Sequence, residues 1–257
     1  MIDDRYKLIF THIPKTAGSS VTNIIKRAPG KNSNKPENSS NNNYRRRHHL
    51  TIEDYKNLTD TEIFDEYFKF SIVRNPWDRF ASVYNFFMII LGKDQHFRNF
   101  GWERIKNPIP EHTFTRLRRG HLPPIERRRL LDKSNYKLLS FEEFVYKFKD
   151  TFIDKNQEYK ANFKEDSPNI VPIWAKTQIE YLSIDGKIIM DDFCKFENLQ
   201  EDIERICKKI NLPYPSTFPH IRKNEHLHYT ELYDEKTKKI VGDIYGEEIE
   251  LFKYTFK

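Results

Sequence analysis

In the first third of the chain, a short apolar run gives way to apolar residues at helical spacing, and this happens twice. Leu8, Ile9 and Phe10 suit a buried strand, and Val21, Ile24 and Ile25 then recur on one helical face. Between them lies the small, polar stretch Pro14-Lys15-Thr16-Ala17-Gly18-Ser19-Ser20. The second instance runs from Tyr67 to Val73, with strand alternation, through Arg74-Asn75 into a helix opened by Pro76 and continued by Ser82, Tyr84, Phe86, Phe87 and Ile90. Strand, turn and helix in this order predict an α/β fold with a parallel sheet.

Later segments extend the pattern. Thr51 with Asp54 caps a short helix through Leu58, and Ser140 with Glu143 opens a helix over Phe141 to Phe148 whose aromatic spacing suits core packing. Ile179 to Leu182 and Lys187 to Met190 flank Asp185-Gly186 as a hairpin. Asp192 to Phe196 is strand-like, a helix follows from about Asn198 to Ile210, and Pro213 and Pro215 end it. The tail predicts a helix from Asp234 to Tyr245 and a last apolar face at Ile249, Leu251, Phe252, Tyr254 and Phe256. Residues 29–43, rich in Asn and Ser, and residues 162–172 read as loop, and there is no internal repeat.

Composition narrows this picture. A chain of 257 residues with 37% hydrophobic content supports one domain spanning residues 1–257. A net charge of +6 and a pI near 9.0 favour an anionic partner: nucleic acid, charged polysaccharide, nucleotide or membrane surface. Cys194 and Cys207 form no CxxC pair, which argues against a disulfide framework or structural zinc and for reduced, packed thiols. No signal-peptide region opens the sequence, and no run reaches the roughly 18 apolar residues of a membrane span. The chain is expected to be soluble and cytoplasmic, and its Lys, Asn and Ile usage leans bacterial.

The turn from Pro14 to Ser20 carries the first candidate chemistry. Unpaired amides at a helix start, the charge of Lys15 and the hydroxyls of Thr16, Ser19 and Ser20 suit phosphate or sulfate, while Gly18 permits a backbone geometry that other residues resist. In the Walker A pattern Lys follows the last Gly; here Lys15 precedes the turn's only Gly. Arg74 and Ser82 can both reach a phosphate above the sheet edge, with a structural salt bridge as the alternative for Arg74; for Arg79 the salt bridge, to Asp78 or a surface carboxylate, is the preferred reading over a phosphate contact. His48 and His49 stand just before a helix, as a general base in a cleft or as a basic surface turn. Residues 93–137 concentrate Arg116, Arg118, Arg119, Arg127, Arg128 and Arg129 among aromatics, as a polyanion contact or a solvated face. His226 and His228 are spaced for one strand face but lack a carboxylate or Cys partner, so no metal site is expected.

HIPKTAGSS (His12–Ser20) followed by FSIVRNPWDRFASVYNFF (Phe70–Phe87) resembles the two cofactor motifs of the PAPS-dependent carbohydrate sulfotransferases, where PAPS is 3′-phosphoadenosine 5′-phosphosulfate. The resemblance continues through Phe193 to Leu199 and the tail from Asn224 to Phe256. It implies a P-loop-like parallel sheet flanked by helices, PAPS as sulfuryl donor, no metal, and a carbohydrate or other hydroxyl acceptor, anionic polysaccharide included, rather than nucleic acid. Pro14, Lys15, Thr16, Ala17, Gly18, Ser19 and Ser20 would surround the 5′-phosphosulfate, with Arg74 and Ser82 on the 3′-phosphate; Arg222 and Lys223 are further candidates. His48-His49-Leu50-Thr51 is similar to the segment bearing the catalytic His of uronyl 2-O-sulfotransferases. The match through Leu-Thr assigns the base to His49, with Lys15 stabilising the leaving phosphate; the adjacency of His48 departs from the family spacing and leaves the choice between the two open. The rival readings are a P-loop kinase or nucleotide hydrolase, which needs magnesium, and a non-catalytic polyanion-binding module.

Overall fold

The computed structural model describes residues 1–30, 49–90, 140–149, 176–219 and 228–257. The chain divides into two compact units, Met1–Asn75 with Pro172–Ile221 and Pro76–Val171 with Arg222–Lys257.

The first unit is built on a four-stranded sheet. Its strands β2 (Leu8–Thr11), β3 (Phe68–Val73) and β6 (Asp192–Lys195) run parallel, and β1 (Ile2–Asp3) lies antiparallel on the outer side of β2. Side-chain alternation divides the core. Leu8, Phe10, Phe70, Ile72 and Cys194 meet Val21, Ile24 and Ile25 of α1 (Gly18–Arg27) and Ile203, Ile206 and Cys207 of α7 (Leu199–Lys209). Ile9, between Leu8 and Phe10, packs instead with Ile52 and Tyr55 of α2 (Ile52–Leu58) and Phe64 of α3 (Thr61–Glu66). The result is the expected α/β arrangement, a sheet with parallel strands flanked by helices.

Polar ties hold the elements that carry the loop. Arg5 forks onto buried Asp3 through Nε and Nη2, and it also donates to the carbonyls of Ile25 (2.7 Å) and Ala28 (2.5 Å) at the end of α1. A cation there complements the helix dipole, so α1 is anchored at the end remote from its loop. Asp192 of β6 accepts from Arg205 and Lys209 of α7; burial pushes its carboxyl upward, but these cations and the Phe193 amide hold it below the ordinary value.

Both cysteines are buried free thiols, Cys194 in β6 and Cys207 in α7. Burial, with the carboxylates of Asp202 and Asp192 adding to it, raises the Cys194 thiol far above its ordinary value, and burial pushes Cys207 up to about 11. A thiol reagent at pH 8 is therefore expected to leave both unmodified in folded protein and to label both in denaturant; rapid labelling of either under native conditions would contradict this packing.

Some elements differ from the sequence expectation. Residues from Ile179 to Leu182 are helical rather than extended, within α6 (Gln178–Leu182), because Thr177 and Glu180 close a capping box there. The hairpin shortens to β4 (Ser183–Ile184) and β5 (Lys187–Ile188), turning through Asp185 at φ 48° and Gly186 at φ 75°. The helix α3, six residues long, had no sequence signal strong enough to predict it.

The second unit contains α4 (Pro76–Ile90), α5 (Phe141–Phe148), a 3₁₀ turn (Tyr229–Leu232), α8 (Glu235–Ile244) and α9 (Gly246–Phe252). Phe80 centres its aromatic core, with ring centroids 6.0, 5.4 and 5.0 Å from Phe141, Phe144 and Phe148. Trp77 donates Nε1–H to the Lys238 carbonyl and lies against Gly242, where an added Cβ would sit 3.2 Å from the indole. In the tail, Phe252 and Tyr254 are buried but Leu251 is 49% exposed, because α9 turns it outward instead of placing it on the apolar face. His228 precedes the 3₁₀ turn and is not on a strand. Residues 31–43 of the Asn-rich loop, the basic stretch 93–137, the loop at 162–172 and His226 lie outside the described residues. Among those described, no helix is long and apolar enough to cross a membrane.

Candidate anion and proton-transfer site

Strands β2, β3 and β6 are parallel, so the segments leaving them emerge at the same edge of the first unit. These are the loop His12–Ala17, the pair Arg74-Asn75 and the 3₁₀ turn Phe196–Asn198. Open parallel sheets bind ligands at this edge.

The loop is built with unusual backbone. Lys15 and Ala17 adopt positive φ, 68° and 62°, which for residues with a Cβ costs about 1–3 kcal/mol each. Thr16 between them is buried and donates its hydroxyl to the Ile13 carbonyl at 3.0 Å, so that group braces the loop and does not serve as an outward donor. Ser20 turns its amide back onto the Ala17 carbonyl at 2.9 Å. In an α-helix beginning at Gly18, the amides of Gly18 and Ser19 then have no intrahelical acceptor.

Gly18 corrects the sequence expectation. Left-handed backbone occurs at Lys15 and Ala17, while Gly18 begins the helix without positive φ. What requires glycine is space: an added Cβ would lie 2.0 Å from Cδ2 and 2.4 Å from Nε2 of His12.

Arg74 ties the second motif to the first. It is 6% exposed, its Nη1 donates to the Lys15 carbonyl at 2.9 Å, and its guanidinium lies 4.0 Å over the Phe196 ring. Its backbone is clamped by the amide of fully buried Gln178, which accepts from Arg74 N–H and donates to the Arg74 carbonyl, both at 2.9 Å. The next amide, of Asn75, donates to Glu197 at 2.8 Å.

His49 approaches the same loop from α2. The capping box of Thr51 and Asp54 fixes the helix start two residues later, and His49 Nδ1 lies 2.9 Å from the His12 carbonyl. A carbonyl only accepts, so Nδ1 carries the proton and, in the neutral ring, the lone pair resides on Nε2. The His12 and His49 rings meet edge to face with centroids 4.6 Å apart.

The structure thus brings together Pro14 to Ser20, Arg74 and His49. It adds His12, Gln178, Phe196 and Glu197, to which sequence reasoning gave no role. Phe196 and Glu197 follow a strand end and were findable in that way; Gln178, 104 positions from Arg74, gave no signal. Ser82 is half-buried on α4 in the second unit, and Arg79, 2% exposed there, lies 6.0 Å over Tyr245. His48, Arg222 and Lys223 lie outside the described residues. Among the described residues no group of His, Cys, Asp and Glu gathers to hold a metal ion.

A model of the sulfotransferase family matches residues 1–255. The chain belongs to the sulfotransferase family. No curated protein and no solved structure gives a significant match. As a sulfotransferase it is a transferase that moves a sulfuryl group to a hydroxyl-bearing acceptor.

Proposed function

We propose that this sulfotransferase takes its sulfuryl group from PAPS and delivers it to a hydroxyl of a carbohydrate, anionic polysaccharides included, with His49 as general base. The observation that carries the reading is the convergence of Arg74 and His49 on one loop through the carbonyls of Lys15 and His12. A P-loop-like loop between β2 and α1 would offer helix amides, Ser19 and Lys15 to the 5′-phosphosulfate, a donor set whose charge and chemistry suit that group. Arg74 suits the 3′-phosphate because a guanidinium meets phosphate oxygens with paired donors. Ser82 enters this assignment by resemblance alone.

When bound, PAPS supplies the sulfuryl group and leaves as PAP, 3′-phosphoadenosine 5′-phosphate. His49 takes at Nε2 the proton that departs from the acceptor hydroxyl, and its Nδ1–H bond to His12 keeps that nitrogen basic and stabilises the imidazolium formed. Lys15 offsets charge growing on the leaving phosphate.

Calorimetric titration with PAP, ADP and ATP, each with and without magnesium, tests the reading. Tight binding selective for PAP and indifferent to magnesium is the expected result. Preference for ATP with magnesium would replace it with a kinase or hydrolase, and salt-sensitive heparin binding without nucleotide affinity would replace it with a polyanion-binding module.

A further inference from the structure

We propose that His12 is a positioning residue for His49, its imidazole filling the space between the anion loop and the base. The inference rests on the reading of His49 as base and adds a residue to it.

His12 leaves the sheet at a fixed point. The preceding Thr11 pairs with Ser71 of β3, and Ser71 donates its hydroxyl to the Thr11 carbonyl at 2.7 Å. The His12 ring stacks on Phe10, with centroids 5.9 Å apart and planes 19° from parallel, and Phe10 in turn lies 5.0 Å from Phe70 within the core. On another side the ring occupies the place where Gly18 would carry a Cβ. It also meets the His49 ring, with centroids 4.6 Å apart. One side chain therefore touches the sheet core, the first residue of α1 and the proposed base.

The same residue meets His49 a second time through its carbonyl, which holds the proton on Nδ1. The two contacts have different consequences. The carbonyl selects a tautomer, and the ring prevents His49 from turning away from that carbonyl. Removal of the ring leaves a void beside Gly18 into which His49 can rotate, releasing the Nδ1–H bond although its acceptor is a backbone atom. The residue at 18 is subject to the same constraint, since any side chain there pushes His12 out of its place.

Histidine-selective ¹⁵N labelling and long-range ¹H–¹⁵N spectra test this, with the His49 signal assigned by its loss in His49→Ala. Wild type should show His49 at neutral pH as a single Nδ1–H tautomer. His12→Ala should convert it to a mixture of tautomers, and His12→Phe, which keeps a flat ring without nitrogens, should restore the single form. Both variants should bind PAP within about threefold of wild type, since neither alters the groups assigned to it. An Nε2–H tautomer in wild type, an unchanged His49 signal in His12→Ala, or equal disturbance by Ala and Phe would overturn the proposal; the last would mean that the ring nitrogens act directly. The wild-type tautomer and the Phe variant decide the matter even if His12→Ala does not fold. Absence of PAP binding in wild type alongside the expected spectra would sink the PAPS reading while leaving His12 as the residue that positions His49.

Discussion

Alanine at position 49 is expected to lower turnover by about 10²- to 10⁴-fold, the usual contribution of a positioned general base, and to leave PAP affinity within about threefold. The split follows from where His49 attaches. It meets the loop at His12, through the bond to that residue's carbonyl and the contact with its ring, whereas the groups assigned to the anion are the α1 amides, Ser19, Lys15 and Arg74. Removing the imidazole therefore takes away a proton acceptor without removing an anion donor. Steady-state turnover with a sulfated-product readout, set beside PAP calorimetry, measures the two separately. The pH profile supplies a further signature: wild-type turnover falls at low pH as the imidazole becomes protonated and can no longer accept, and the variant should lack that limb. Turnover retained in the Ala variant would transfer the role of base to another group, His48 first.

Much of this site was legible because its residues obey local rules. Leu8 to Phe10 and the spacing of Val21, Ile24 and Ile25 marked strand and helix, and the Thr51–Asp54 capping box placed His49 at the head of α2. Local rules are silent where a residue answers to distant neighbours. Gly18 looked like a conformational glycine, but its reason is the His12 ring, six residues back in sequence and in contact only after the loop has turned. The positive φ of Lys15 and Ala17 ran against their propensities, as expected where a functional loop is held in place by tertiary contacts, here the Arg74 bond to the Lys15 carbonyl and the brace from Thr16. Gln178 was invisible for the same reason. Its amide completes the backbone hydrogen bonding of Arg74 beyond the end of β3, and nothing in the sequence near either residue announces the pairing.

Arg74→Ala should weaken PAP binding by about 30- to 150-fold, equivalent to the roughly 2–3 kcal/mol of a hydrogen-bonded charged pair. ADP, which lacks the 3′-phosphate, should lose much less. The comparison is needed because the proposal gives Arg74 a phosphate contact in addition to its observed bond to the loop. Its bond to the Lys15 carbonyl steadies the loop and would affect any nucleotide that uses the loop, whereas a phosphate contact would affect PAP alone. The ratio of PAP to ADP affinity isolates the second. Arg74→Lys refines the argument: the charge remains, but an ammonium cannot lie flat over Phe196 and donate to the Lys15 carbonyl while presenting paired donors to a phosphate. A loss of about tenfold for PAP is expected there, intermediate between wild type and alanine. Equal losses for PAP and ADP in both variants would reduce Arg74 to a brace for the loop and would move the 3′-phosphate to other cations.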